Sequence, residues 1–236
     1  VFTIKEIRQV GSNIYDFVMQ TDNRFSFRAG QYMEWTLGHA KSDTRGNRRY
    51  FTLASSPTEQ ETILGVRFYD QPSSFKKHLH TLKAGDTIIG GQLAGEFTLP
   101  EDPKQKLTFI AGGIGVTPFR SMIKYLSDKN EKRDVVLMYS NRETNEISYA
   151  AIFKAAEKVG VRTVYTLTEP DSIPADWSGQ RGFIDEAMIK KEVPDYKERK
   201  FYISGSHGMV TGSKELLIKL GVPRSQIKTD FFPGLA

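Results

Sequence analysis

An antiparallel β-barrel followed by a doubly wound, parallel-sheet α/β domain is the architecture this sequence predicts, and three observations predict it. Through the first hundred residues, runs rich in β-branched and aromatic residues are separated by turn-rich stretches. Beyond them, short apolar strands alternate with helical patterns. Between the two regimes lies Leu99-Pro100-Glu101-Asp102-Pro103-Lys104, dense in proline and charge. The expected units are residues 1–102 and 103–236, each large enough to bury a core of its own.

In the first unit, strands are expected at Phe2–Gln9, Ile14–Gln20, Gln31–Leu37, Arg48–Ser55, Thr62–Phe68 and Thr87–Leu93. Thr21-Asp22-Asn23, Ser42–Asn47 and Ser56-Pro57-Thr58 supply turns, and a short helix at Phe75–Leu82 interrupts the series. Strands at that spacing suit a small barrel, with Trp35 in its core. In the second unit, strands are expected at Lys106–Ala111, Asp134–Ser140, Val161–Thr168, Lys200–Ser204 and Gln226–Phe232. Helices are expected at Pro118–Ser127, Ser148–Val159, Asp185–Lys191 and Ser213–Leu220. Strands alternating with helices in this way form a parallel sheet covered on both faces.

Composition narrows the function classes. The 236 residues include no cysteine, which excludes disulfides, thiolate zinc sites and a cysteine-held iron–sulfur cluster within them. No apolar run reaches the roughly 18 to 20 residues of a membrane span, and no signal peptide opens the chain. The sequence starts at Val1 rather than Met, as a trimmed chain or a module of a longer polypeptide would. The expected setting is the cytoplasm, or the cytoplasmic face of a larger membrane protein. The net charge of +5 suits an anionic ligand, or is a basic surface without a partner. No basic-aromatic pattern of a nucleic-acid reader is present. The four histidines (His39, His78, His80 and His207) lack metal-ligand spacing, so no metal is expected, and His78 and His80 are read as a solvated helix face.

Two segments carry chemistry. The strand Lys106–Ala111 runs into Gly112-Gly113-Ile114-Gly115-Val116-Thr117-Pro118 and then a helix. Glycines let backbone approach an anion, Thr117 can cap the helix, Pro118 suits its first turn, and the free N–H groups favour a pyrophosphate. A tight turn that binds nothing is the alternative, and the spacing departs from G-x-G-x-x-G. The other segment is Arg49-Tyr50-Phe51-Thr52, which puts a guanidinium, aromatic rings and a hydroxyl on one strand. Arg49 and Phe51 share a face and Thr52 takes the other. Arginine suits phosphate by paired hydrogen bonds. Taken alone, the segment reads equally as a half-buried strand with an exposed arginine.

Taken in order along the chain, these segments resemble the ferredoxin–NADP reductase-like flavoprotein family over almost the whole length. Ala29-Gly30-Gln31-Tyr32 is similar to its G-Q segment, and Arg49–Thr52 to its R-x-Y-[ST] flavin motif. Ser73-Ser74-Phe75-Lys76 resembles the helix start that receives the flavin pyrophosphate, and Gly112–Pro118 the G-G-x-G-x-T-P loop. Ser204-Gly205-Ser206-His207-Gly208-Met209 resembles C-G-P-x-x-M, and Asp230-Phe231-Phe232 the terminal acid-x-aromatic segment. The resemblance implies a barrel holding FAD, an α/β domain holding NADH or NADPH, and hydride transfer between them at the cleft. By that resemblance Arg49, Tyr50, Phe51, Thr52, Ser73, Ser74 and Phe75 would surround the flavin. Gly112, Gly113, Gly115, Thr117, Arg142, Gly205, Met209 and Phe232 would surround the nucleotide or meet the flavin. Thr52, Ser204 and Asp230 would stand nearest the transferred hydride.

The sequence departs from the family pattern at three of these positions. Phe51 stands where tyrosine is usual, Ser204 where cysteine is common, and Asp230 where glutamate is usual. Arg142 follows a parallel strand, where it could meet a 2′-phosphate or pair with Glu143 or Glu146, while Glu169 would repel such a phosphate; together they favour NADH. Arg181 is a further candidate for the adenine end, and Trp177 is expected to pack a loop beside Gly179. The electron acceptor stays open among ferredoxin, flavodoxin, free flavin, haem, quinone and the redox centre of a larger membrane protein. A non-catalytic nucleotide-binding module that regulates or docks a partner is the competing class.

Overall fold

The computed structural model describes residues 1–23 and 25–231. The β-branched and aromatic runs of the first hundred residues form six strands: β1 (Phe2–Gly11), β2 (Ile14–Gln20), β3 (Tyr32–Thr36), β4 (Arg48–Thr52), β5 (Thr62–Arg67) and β6 (Thr87–Ala94). Their sheet order is β4-β3-β6-β1-β2-β5, with every pairing antiparallel. The two outer strands meet where Leu53 bridges Leu64 and the Ala54 N–H donates to the Ile63 carbonyl, which closes the barrel. In β3, Met33 and Trp35 are buried while their neighbours are partly exposed, the alternation a one-faced strand requires. Trp35, Phe2, Phe17 and Leu64 fill the interior, and α1 (Ser74–Leu79) plugs one end with Phe75 and Leu79. His78 lies on that helix, half-buried and stacked on His39, with ring centroids 5.7 Å apart, rather than fully solvated.

The second half forms six parallel strands: β7 (Leu107–Gly112), β8 (Val135–Asn141), β9 (Val161–Leu167), β10 (Gln180–Arg181), β11 (Lys200–Gly205) and β12 (Ile227–Phe231). Their order is β10-β9-β8-β7-β11-β12. Helices α2 (Thr117–Lys129) and α3 (Ala150–Ala155) cover one face. Helices α4 (Glu186–Glu192) and α5 (His207–Lys219) cover the other. Side-chain alternation along β7 divides these cores: Phe109 and Ala111 point to the first, Ile110 to the second. The strand order reverses between β7 and β11, and in sheets of this kind ligands bind at such a reversal, beyond the carboxyl ends of the strands. No helix among the described residues is long and apolar enough to cross a membrane.

Element ends differ from the expectation in instructive places. The last helix starts at His207 instead of Ser213, because Ser206 caps it through the Met209 N–H while Gly208 and Gly212 weaken its helical signal. The expected helix Ser148–Val159 is α-helical only over Ala150–Ala155 and tightens into a 3-10 turn that ends at Gly160, where φ is +90°. The two-residue β10 has no apolar periodicity to announce it. Ala29 and Phe97, both ahead of the proline-rich stretch, pack into the core beneath α2 rather than into the barrel.

Candidate functional site

Strand β7 delivers the chain to the switch point, where Gly113–Val116 form a 3-10 turn before α2 begins. The glycines there have different reasons. A Cβ on Gly112 would strike the Met209 sulfur, and one on Gly115 would lie 2.5 Å from the Ser204 carbonyl oxygen. Their bareness lets β7, β11 and α5 close together. Gly113 alone of the three takes a positive φ, +50°, and faces the Arg67 guanidinium from the barrel. Thr117 is the first residue of α2, not its cap: its buried hydroxyl donates back to the Ile114 carbonyl at 3.1 Å, and Pro118 stands in the first turn as expected.

Over this turn opens a cavity of about 520 Å³. Gly112, Gly113 and Gly115 form its floor, Gly205 and Met209 one wall, and Asn141 with Arg142 another. Arg67 and Tyr69 reach in from β5 of the barrel and the residues just after it, so both halves of the chain line the same space. Arg67 pairs across the gap with Glu146. Arg142 pairs with Glu169 at 3.2 Å, so the two residues weighed against each other for coenzyme choice hold one another. Phe183, 78% exposed, stands at the rim.

Among the described residues, several buried polar atoms in this region have no hydrogen-bond partner: both amide atoms of Asn141, the Ser204 hydroxyl and Oδ2 of Asp230. Ser204 and Asp230 are register partners on β11 and β12 and therefore lie side by side. Burial pushes the Asp230 carboxyl up to about 6. Phe232 lies outside the described residues. An unpaired buried polar group costs roughly 1–3 kcal/mol, so a cluster of them is where a ligand gains most.

The barrel strand is built differently. Thr52 is buried, and its hydroxyl has no partner among the described residues. Phe51 packs on Phe75, with centroids 5.9 Å apart, and the Arg49 guanidinium lies over the Phe75 ring. Phe75 itself is wholly buried, backbone and side chain alike. Tyr50, 53% exposed, takes the outer face, where it donates to Glu34 and meets Tyr32 edge-on. Ser73 caps α1 through the Lys76 N–H. Ser74 is engaged by the β3–β4 loop: its N–H donates to Asp43, its hydroxyl accepts from the Asp43 N–H, and His39 bonds the same hydroxyl at 3.0 Å. Arg49 gives its donors to Asp43 and to the carbonyls of Arg45, Gly46 and Arg48. Burial opposes ionisation of Asp43, yet the N–H groups of Ser74 and Arg45, the Ser74 hydroxyl and the Arg49 charge hold its carboxyl down at about 2. Lys76, buried and close to Arg45, Arg67 and Arg49, is pushed down to about 8.

Comparison with known proteins matches residues 109–215 to the oxidoreductase NAD-binding domain. A stachydrine N-demethylase reductase subunit, Stc4, from Rhizobium meliloti (strain 1021) is 28% identical over 80% of this chain and 55% of its own length. The glycine betaine monooxygenase reductase subunit of Chromohalobacter salexigens is 27% identical over 88% of this chain and 56% of its own. The chain thus spans about half the length of the curated relatives it matches. The FAD/NAD-binding domain of a nitric oxide dioxygenase from Vibrio cholerae O1 biovar El Tor superposes with a TM-score of 0.85 at 21% identity, covering 98% of this chain and 97% of that one. A ferredoxin NADP+ reductase from Neisseria gonorrhoeae gives 0.81 at 18% identity over 98% and 97%. Residues 109–215 thus match that nucleotide-binding domain, and the whole chain shares the two-domain fold of these neighbours.

The sequence motifs found the floor of the cavity and missed much of its walls. Arg67, Tyr69 and Phe183 came from no motif, and Asn141 was passed over for its neighbour Arg142. The only signal for Asn141 was its place at the carboxyl end of a parallel strand beside the switch point.

Proposed function

We propose that this chain is the flavin-dependent part of an NAD(P)H oxidoreductase, with residues 1–102 holding FAD and 103–236 the pyridine nucleotide. The observation that carries the reading is the cavity over Gly112–Gly115, because residues of both halves line it while buried polar atoms around it, the Asn141 amide among them, stand unpaired among the described residues. The residues fit the two cofactors. Thr52 has a buried hydroxyl to give, Ser204 and Asp230 a hydroxyl and a carboxyl, and Asn141 a donor and an acceptor together. A flavin bound against Arg49–Thr52 would accept hydride from reduced nicotinamide and release its two electrons to an acceptor.

The chain's own groups supply position and electrostatics. The 3-10 turn and the Arg67 guanidinium provide N–H donors for a pyrophosphate. Ser204, wholly buried where β11 passes the turn, offers a small polar contact in place of cysteine. Asp230, its carboxyl raised to about 6 by burial, can keep or give up a proton near neutral pH. Arg49, Ser73 and Ser74 would take the flavin phosphates once Asp43 yields. The Arg142–Glu169 pair withholds the guanidinium from a 2′-phosphate and supports NADH over NADPH. The acceptor we assign is an oxygenase component, on a separate chain or in the remaining length of a longer polypeptide, because the relatives named above are oxygenase and demethylase reductase subunits. The cytoplasm, or a cytoplasm-facing position, is the setting this assigns.

The purified chain should take up FAD, show a flavin spectrum, and bleach when mixed anaerobically with NADH. A protein that stays colourless with added FAD overturns the reading. Flavin that binds but keeps its yellow colour with both NADH and NADPH favours the non-catalytic module instead.

A further inference from the structure

One set of contacts joins the barrel strand to the nucleotide turn by a short path. Leu53, the neighbour of Thr52, bridges Leu64, and the next residue, Gly65, lies directly against the start of α2. A Cβ on Gly65 would fall 2.8 Å from Thr117 Cγ2 and 2.8 Å from the Tyr149 hydroxyl oxygen. Only a glycine lets β5 approach so closely. Tyr149 holds a left-handed backbone, φ +61°, which is costly for a bulky residue and persists where surrounding contacts impose it. Those contacts are present: its hydroxyl donates to Asp16 of β2 at 2.6 Å, and Arg120 lies over its ring. Arg120 in turn donates to the Ala54 carbonyl at 2.9 Å, two residues past Thr52, and pairs with Glu59.

We propose that Gly65 and the Tyr149–Asp16 hydrogen bond form a gauge that fixes the distance between the flavin strand and the nucleotide turn, so that these residues position the hydride donor against its acceptor. The inference rests on the flavin-reductase reading. Its physical basis is that hydride transfer is steeply sensitive to donor–acceptor placement, with a displacement of about 1 Å able to cost on the order of a hundredfold in rate. Gly65 sets the contact, and Tyr149 with Asp16 prevents it from opening. None of the three lines the cavity over the nucleotide turn, so each is a positioning residue.

The test uses the full chain loaded with FAD, and begins with the wild type and NADH. Tyr149→Phe should slow anaerobic flavin reduction by about fivefold and weaken the long-wavelength charge-transfer band formed with NAD+, while flavin content and NAD+ affinity stay within about twofold. Asp16→Asn keeps an oxygen acceptor for the Tyr149 hydroxyl and should stay close to wild type, whereas Asp16→Leu should behave as Tyr149→Phe. Gly65→Ala should give the largest loss, about twentyfold or more. If it does not fold, Tyr149→Phe and the two Asp16 variants decide alone. In the apoprotein, the unfolding constants of Tyr149→Phe, Asp16→Leu and the double variant should be non-additive, a readout independent of turnover. A Tyr149→Phe protein with unchanged rate and unchanged charge-transfer band overturns the gauge and leaves the reductase reading intact. A wild-type protein that binds flavin but is not bleached by NADH or NADPH overturns both.

Discussion

The two anion-facing regions of this molecule are prepared in opposite ways. At the nucleotide turn, Asn141 lines a cavity already open and its amide has no hydrogen-bond partner among the described residues, while Ser204 and Asp230, beside it on β11 and β12, carry buried polar atoms in the same condition. At the barrel strand, Arg49 is held by Asp43 and three backbone carbonyls, and Ser74 by Asp43 and His39. One region keeps the desolvation cost of an open site. The other keeps the Thr52 hydroxyl unpartnered among the described residues but has its phosphate-binding donors engaged internally, so these must exchange partners to bind a phosphate. The carboxylates show the same contrast: Asp230 is raised to about 6 by burial, while hydrogen bonds and Arg49 lower Asp43 to about 2 against the opposing effect of burial. The lesson is that a binding motif in sequence says which groups are supplied, not whether they are free.

The largest effect that would break the comparison is at Arg49. Arg49→Ala should weaken FAD binding by about 10- to 100-fold, the worth of charge-assisted hydrogen bonds of about 1.5–3 kcal/mol, as read by flavin titration. An unchanged affinity would mean that its internal partners hold it permanently. Asn141→Leu replaces an unpaired amide with an apolar side chain of similar size; it should weaken NAD(P)H binding about tenfold while the flavin content stays at the wild-type level.

Asp230 tests the cost of an open site through stability. Its pKa is raised in the folded state, so the fold binds the extra proton and the stabilisation is complete below the unfolded value of 3.8 and lost as pH rises through about 6. Asp230→Asn should therefore stabilise the apoprotein at pH 7 by about 1–3 kcal/mol in denaturant unfolding, with the gain fading by about pH 4. Asp43 has the opposite sign: its stabilisation is present above the ordinary carboxylate range and lost as pH falls toward about 2. Asp43→Asn should flatten that acid limb and tighten FAD binding by about threefold, because a charged competitor leaves the phosphate donors. Smallest of all is Phe51→Tyr. With the ring packed on Phe75, the added hydroxyl should change flavin affinity by less than about threefold, in the direction of tighter binding.

Much of the fold was legible before the structure, because its signals are local. Period-two burial in β3, the abrupt apolar strand of β7 and the proline-rich stretch before it are all written in short windows of sequence. The floor of the site was legible for the same reason, since Gly112–Pro118 is contiguous. The walls were not. Arg67 and Phe183 come from strand and loop positions far apart in the chain, and a single residue on a strand carries no periodic signal. The reason for the glycines was also hidden: Gly112 and Gly115 are bare chiefly because Met209 and β11 press against them.

By itself, then, the sequence determined the order of a barrel and a doubly wound sheet, and the identity of Thr52, Ser204 and Asp230 as groups to watch. Tertiary structure alone decided their condition. It buried all three polar groups without partners among the described residues, engaged Arg49 with Asp43, and set Gly65 against Thr117 and Tyr149. The physical reason is that backbone preference and hydrophobic pattern act over a few neighbouring residues, whereas desolvation, hydrogen-bond satisfaction and close approach depend on what the folded chain brings alongside.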